Sequence, residues 1–135
     1  MRRAAALLSV PAAALLLASC QTEPKGGPLI ATVDNSAATR LLQTVNAEAQ
    51  ACWMKSGDKA FRAYRVIPEL DTRIGKPRIL LVSAKAAQGL PQLVIEASGS
   101  PVRLSTYGPL ASQPISGRIN SDVSRWATGG KGCKA

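Results

Sequence analysis

The chain has 135 residues, 17 Lys+Arg against 8 Asp+Glu for a formal charge of +9, no His, three Cys and one Phe. That length allows one small domain. Zero His removes imidazole ligands, the commonest general base and the usual switch near neutral pH, so a His-based triad or zinc site is excluded. The 46% hydrophobic share is inflated by the first nineteen residues, where Ala4 to Ala18 depart from Ala, Leu and Val only at Ser9 and Pro11.

The first element in chain order is an address. Met1-Arg2-Arg3 is a positive start, Ala4 to Leu17 an apolar stretch, and Leu17-Ala18-Ser19-Cys20 follows without a break, the pattern of a secretory signal peptide over residues 1–19. At about 15 residues the run is short of the roughly 20 that span a bilayer. Leu17-Ala18-Ser19-Cys20 resembles the lipobox of bacterial lipoproteins, in which the signal peptide is cut before Cys and that Cys becomes the lipidated first residue. The resemblance implies lipidation at Cys20 and a membrane anchor. Because Gln21 and not Asp follows Cys20, it also implies transfer to the outer membrane, as in enterobacterial lipoproteins.

Residues 20–35 contain Pro24, Gly26, Gly27 and Pro28 with few large apolar side chains and read as a tether. A flexible coil of about 15 residues reaches roughly 20 Å r.m.s..

Residues 36–135 read as one small domain. Asp34-Asn35-Ser36 offers N-caps, and Ala38, Leu41, Leu42, Val45, Ala49, Cys52 and Trp53 recur at three- and four-residue steps, which predicts an amphipathic helix ending near Ser56-Gly57. Phe61 to Ile67, Arg78 to Ser83, Gln92 to Ala97 and Val102 to Tyr107 are short, β-branched or aromatic, and punctuated by Pro, Gly or Ser; they predict four strands, the last two a hairpin across Ser98-Gly99-Ser100-Pro101. In the third, Leu93, Ile95 and Ala97 alternate with Gln92, Val94 and Glu96, so one sheet face is expected to be covered and the other partly wet. Ile115, Ile119, Val123 and Trp126 predict a second helix, with Arg118 and Asp122 on its outer side and Gly129-Gly130 as its stop. The order α-β-β-β-β-α predicts a two-layer α+β fold, a four-stranded antiparallel sheet with two helices on one face.

If Cys20 carries lipid, Cys52 and Cys133 remain as an even pair at corresponding helix ends, and in an oxidising compartment they are expected to form a structural disulfide. Their separation is unlike the Cys-x-x-Cys of redox pairs. Trp53 and Trp126 each follow an apolar helical stripe and belong to the core in preference to a sugar-stacking platform.

Few residues suggest catalysis, and none suggests a metal or a cofactor. Glu69 and Asp71 are an acidic pair in a loop, where a carboxylate hydrolase keeps its groups, but Arg73 and Lys76 stand beside them as ion-pair partners. Ser83 and Lys85 lack the surroundings of a Ser-Lys nucleophile. Gly129-Gly130-Lys131-Gly132 follows a helix instead of opening one, so it is no phosphate loop. The broader signal is charge: Arg62, Arg65, Arg73, Lys76 and Arg78, with Lys55 and Lys59 just before them, predict a basic surface around the first two strands. These features together predict a noncatalytic outer-membrane lipoprotein, lipid-anchored on the periplasmic face, that binds an envelope protein, peptidoglycan or anionic lipid through this surface. Nucleic acid is not an expected partner in that compartment. Two alternatives remain: an inhibitor or accessory subunit of an envelope enzyme or secretion complex, which needs an apolar patch beside the charge, and a carboxylate hydrolase.

Overall fold

The computed structural model describes residues 35–134 apart from Thr72 and Ile74. The signal peptide, Cys20 and the tether up to Asp34 lie outside the described residues.

Helix α1 spans Ser36–Ala49. Its buried stripe is Ala38, Leu42, Val45 and Ala49, a three- and four-residue spacing that keeps one face inward. Asn35 occupies the N-cap position without capping through its side chain; the helix is entered by the Thr39 N–H donating to the Asn35 carbonyl at 2.8 Å. The last turns widen into a π-helix over Gln50–Lys55, where Cys52 and Trp53 are both buried. Gly57, at φ +77°, releases the chain, and Asp58 starts a 3-10 turn over Lys59–Phe61 by accepting a hydrogen bond from the Ala60 N–H at 2.9 Å.

Strands β1 (Tyr64–Glu69), β2 (Arg78–Ser83), β3 (Leu93–Ser98) and β4 (Arg103–Tyr107) form an antiparallel meander in the order β1-β2-β3-β4. A short 3-10 turn over Pro109–Ser112 then leads into α2, Ile115–Ala127. The α-β-β-β-β-α order and the two-layer α+β fold expected from the sequence are thus observed. The first strand starts three residues later than predicted, because Phe61 is taken into the 3-10 turn, where its ring is fully buried and stacks on Trp53 with centroids 4.7 Å apart.

The inner face of the sheet, Val66, Ile79, Leu81, Leu93, Ile95 and Ala97, shares one core with the buried stripes of α1 and α2. The other face is less polar than the alternation in β3 suggests. Leu80, Val82 and Val94 form a second, small buried cluster with Ile67 packed against it. Ionic side chains lie one register step away, where Glu69 faces Arg78 and Arg78 faces Glu96.

Cys52 and Cys133 form a disulfide, with Cα atoms 5.1 Å apart. It ties the end of the first helical segment to the tail beyond α2, and Trp53 lies against Trp126 beside it with centroids 5.2 Å apart. Gly129 (φ +96°) and Gly130, whose N–H donates to the Arg125 carbonyl at 2.8 Å, turn the chain back toward that bond. A Cβ on Gly130 would sit 2.6 Å from the Arg125 side chain, so the turn requires the missing side chain.

Candidate functional site

The turn between the first helical segment and β1 is built inward on Phe61 and outward on charge. Asp58 holds the 3-10 turn with one carboxylate oxygen and accepts from the Arg118 guanidinium of α2 with the other, at 3.2 Å. Arg118 in turn lies over the Phe61 ring, 5.9 Å from its centroid. With Phe61 pinned between Trp53 and Arg118, Lys59 and Arg62 are left exposed, and so is Arg65 on β1. Arg62 and Arg65 both line a cleft of about 200 Å³ whose other walls are Trp53, Met54, Gly57, Asp58 and Phe61. The Arg65 guanidinium spends one hydrogen bond on the Tyr64 carbonyl, at 2.9 Å, which holds its stem along the strand.

The remaining three cations of the basic stretch are arranged differently. Arg73 is paired with Asp71, Lys76 with Glu96 at 3.1 Å, and Arg78 with Glu69 at 2.6 Å. Lys76 and Arg78 line a separate cleft of about 710 Å³ together with Glu69, Asp71 and Glu96. The five basic residues grouped by the sequence therefore divide: Arg62 and Arg65 meet at one cleft, while Arg73, Lys76 and Arg78 belong to an ion-paired network by the β1–β2 connection. The division was hidden in the sequence because Glu96 arrives from β3, eighteen residues after Arg78, through strand register alone.

Counter-charge is distributed just as unevenly elsewhere. The described carboxylates are Glu48, Asp58, Glu69, Asp71, Glu96 and Asp122, and each is engaged: Glu48 accepts from the Gly132 N–H at 2.8 Å, and the other five pair with Arg or Lys. Among the described residues Arg40, Lys85, Arg103, Lys131 and Lys134 have no carboxylate within ion-pairing distance, and neither do Lys55, Lys59, Arg62 and Arg65, which stand together in eleven residues of chain.

Asp122 overturns a second expectation. It does not lie on the outer side of α2 but is buried, 2% exposed. It accepts from the Trp53 indole N–H at 3.0 Å, from Arg118 at 2.8 Å and from Arg125 at 2.9 Å. The physical reason is the indole: a fully buried Trp N–H needs an acceptor, and α2 supplies it one turn from Arg118 and Arg125. Burial opposes ionisation of this carboxyl, but the bonds from Trp53, Arg118 and Arg125 outweigh it and hold Asp122 below the ordinary carboxylate range.

The acidic pair considered for hydrolysis is drawn apart in role. Glu69 is committed to Arg78 across the sheet and Asp71 to Arg73. The Arg73 guanidinium and its backbone N–H lower the Asp71 carboxyl further into the ionised range, the reverse of what a proton-donating acid requires. The Ser83 hydroxyl accepts from the Lys85 backbone N–H at 3.3 Å, a local turn contact. Among the described residues no three His, Cys, Asp or Glu side chains gather as metal ligands.

One feature went unread in the sequence. Tyr64, Pro109, Leu110, Pro114 and Ile115 line an open, largely apolar groove of about 720 Å³, with Gln92, Gln113 and Arg118 as its polar members. Leu90, 86% exposed, stands in the loop just before Gln92. Ala60 also lines the groove while Asp58 and Phe61 line the Arg62–Arg65 cleft, so the two depressions flank one three-residue turn. The available signal was Gly108-Pro109-Leu110: Gly108 has φ +120°, and a Cβ there would lie 2.8 Å from the Gln92 carbonyl oxygen. That close approach seats the Pro109 turn against β3.

The chain matches no family model, no curated protein and no solved structure.

Proposed function

We propose that this protein is a noncatalytic, lipid-anchored domain of the bacterial envelope, held at Cys20 on the periplasmic face of the outer membrane, and that it binds an anionic envelope component at Lys55, Lys59, Arg62 and Arg65. The anchor rests on the lipobox-like Leu17-Ala18-Ser19-Cys20. The binding role rests on one observation: every described carboxylate is already engaged, and of the cations left without one, Lys55, Lys59, Arg62 and Arg65 are grouped within eleven residues, two of them lining one cleft. Solubility alone calls for charges dispersed over a surface, not for two uncompensated arginines lining one cleft with two lysines close by in the chain.

In-cell crosslinking with a photoreactive residue placed in turn at Arg62, Arg65 and Arg78 tests this reading. Arg62 and Arg65 are expected to yield adducts to one class of envelope component, and Arg78, already paired with Glu69, to yield few. Equal adducts at all three positions, or none, would remove the specific surface. Labelled palmitate should enter the wild type and not Cys20→Ser; lipidation of that variant would refute the anchor.

The second reading, an accessory subunit or inhibitor, gains support from the apolar groove beside the charge, and from the exposed Leu90 two residues before its lining Gln92. A stable protein complex that Ile115→Arg abolishes and Arg62→Gln leaves intact would favour it.

A further inference from the structure

Building on the binding surface proposed above, we infer that the cleft between Arg62 and Arg65 is a site for a phosphate group, taken either from a glycerophosphate headgroup or as the free ion. The two basic residues that line it are both arginines. A guanidinium offers a planar fork of donors that matches two oxygens of an oxyanion at once. Two such forks carried by residues that line one cleft suit a tetrahedral group with several acceptor oxygens better than a planar carboxylate, which one fork satisfies. Lysines would hold either anion as a point charge, and the lysines of this surface, Lys55 and Lys59, are not among the residues lining the cleft.

The surroundings favour the anion further. Met54 and the buried side chains of Trp53 and Phe61 also line the cleft, apolar surface that does not compete for the arginine donors. The one carboxylate in the lining, Asp58, would repel an anion if it were free, yet both its oxygens are occupied, one by the Ala60 N–H and one by Arg118. Arg65 is steadied by its bond to the Tyr64 carbonyl, which lowers the ordering cost on binding. At about 200 Å³ the cleft exceeds the volume of a few waters at about 30 Å³ each, room for a phosphate and part of its first hydration layer.

The test follows the arginine Nε–Hε signals of the mature chain, ¹⁵N-labelled on Arg, in maltoside micelles, as inorganic phosphate, glycerophosphoglycerol, acetate or polyglutamate is added at matched ionic strength. Saturable shifts of Arg62 and Arg65 with a phosphate probe, with Arg103 unmoved, are expected. In Arg62→Gln and in Arg65→Gln binding should weaken at least tenfold at unchanged melting temperature. Tighter binding of glycerophosphoglycerol assigns the site to a lipid headgroup, and tighter binding of inorganic phosphate to the free ion. If both phosphates behave like acetate while polyglutamate still binds and is lost in the two variants, the phosphate site is overturned and the basic surface stands. If polyglutamate fails as well, both fall.

Discussion

Asp122 shows how one residue organises the contact between the two helical segments. Its carboxylate sits between the Trp53 indole N–H and two α2 arginines and is 2% exposed, so the pairing operates with little solvent screening. Removing one partner of a buried ionic cluster leaves uncompensated charge, at a cost of about 3 to 5 kcal/mol. Asp122→Asn keeps an acceptor for Trp53 but not the charge facing Arg118 and Arg125, and urea denaturation is expected to show a loss of about 3 kcal/mol. The pH dependence has a definite sign. Because the folded-state pKa lies below the unfolded value, the contribution of Asp122 is fully present above the ordinary carboxylate pKa of about 4 and disappears as pH falls through the folded value. Wild-type stability should therefore drop below about pH 4 more steeply than that of Asp122→Asn. Parallel acid limbs for the two proteins would show that Asp122 is not a source of the acid sensitivity.

At the scale of elements, periodicity predicts well where burial repeats regularly and less well where a single contact overrides it. The α1 stripe, the alternation of Leu93, Ile95 and Ala97, and the Ile119–Val123–Trp126 spacing all face the main core. Phe61 departs because its ring is claimed by Trp53, a partner eight residues earlier that strand propensity does not see. Asp122 departs because the acceptor it provides is needed by a residue on another helix. Gln50 likewise bridges to β1, donating to the Val66 carbonyl at 3.1 Å from a widened turn that no local pattern announced. The disulfide closes these elements into one unit. With a sequence separation of 81, its effect on the unfolded chain amounts to about 4 to 5 kcal/mol in the loop-entropy model. Cys52→Ser is expected to leave a single titratable thiol at Cys133 and to lower the denaturation midpoint correspondingly. Two thiols in the unreduced wild type would instead contradict the bond.

Over the whole molecule, the positive surface was legible as a stretch of sequence, but its division into paired and unpaired cations was not, since Arg118, Glu96 and the groove residues reach it only through the fold. The division has a thermodynamic consequence. A chain of formal charge +9 whose described acids are already engaged carries net repulsion in the folded state, and Lys55, Lys59, Arg62 and Arg65 add to it without a carboxylate partner. Exposed ion pairs such as Arg78–Glu69 contribute only about 0 to 1 kcal/mol each and weaken with salt, while repulsion between exposed like charges is relieved by the same screening over a Debye length of about 8 to 10 Å. The repulsive side is expected to dominate here, so raising NaCl from low to physiological concentration should raise the melting temperature of the wild type. Replacing both Arg62 and Arg65, which line one cleft, by Gln removes part of the repulsion. That double variant should melt at or slightly above the wild type in low salt and respond less to added NaCl, even as it loses the anion binding proposed for the cleft. A melting temperature that falls with salt, or a double variant less stable than the wild type in low salt, would mean that the two arginines stabilise the fold and are not held at a cost for a ligand.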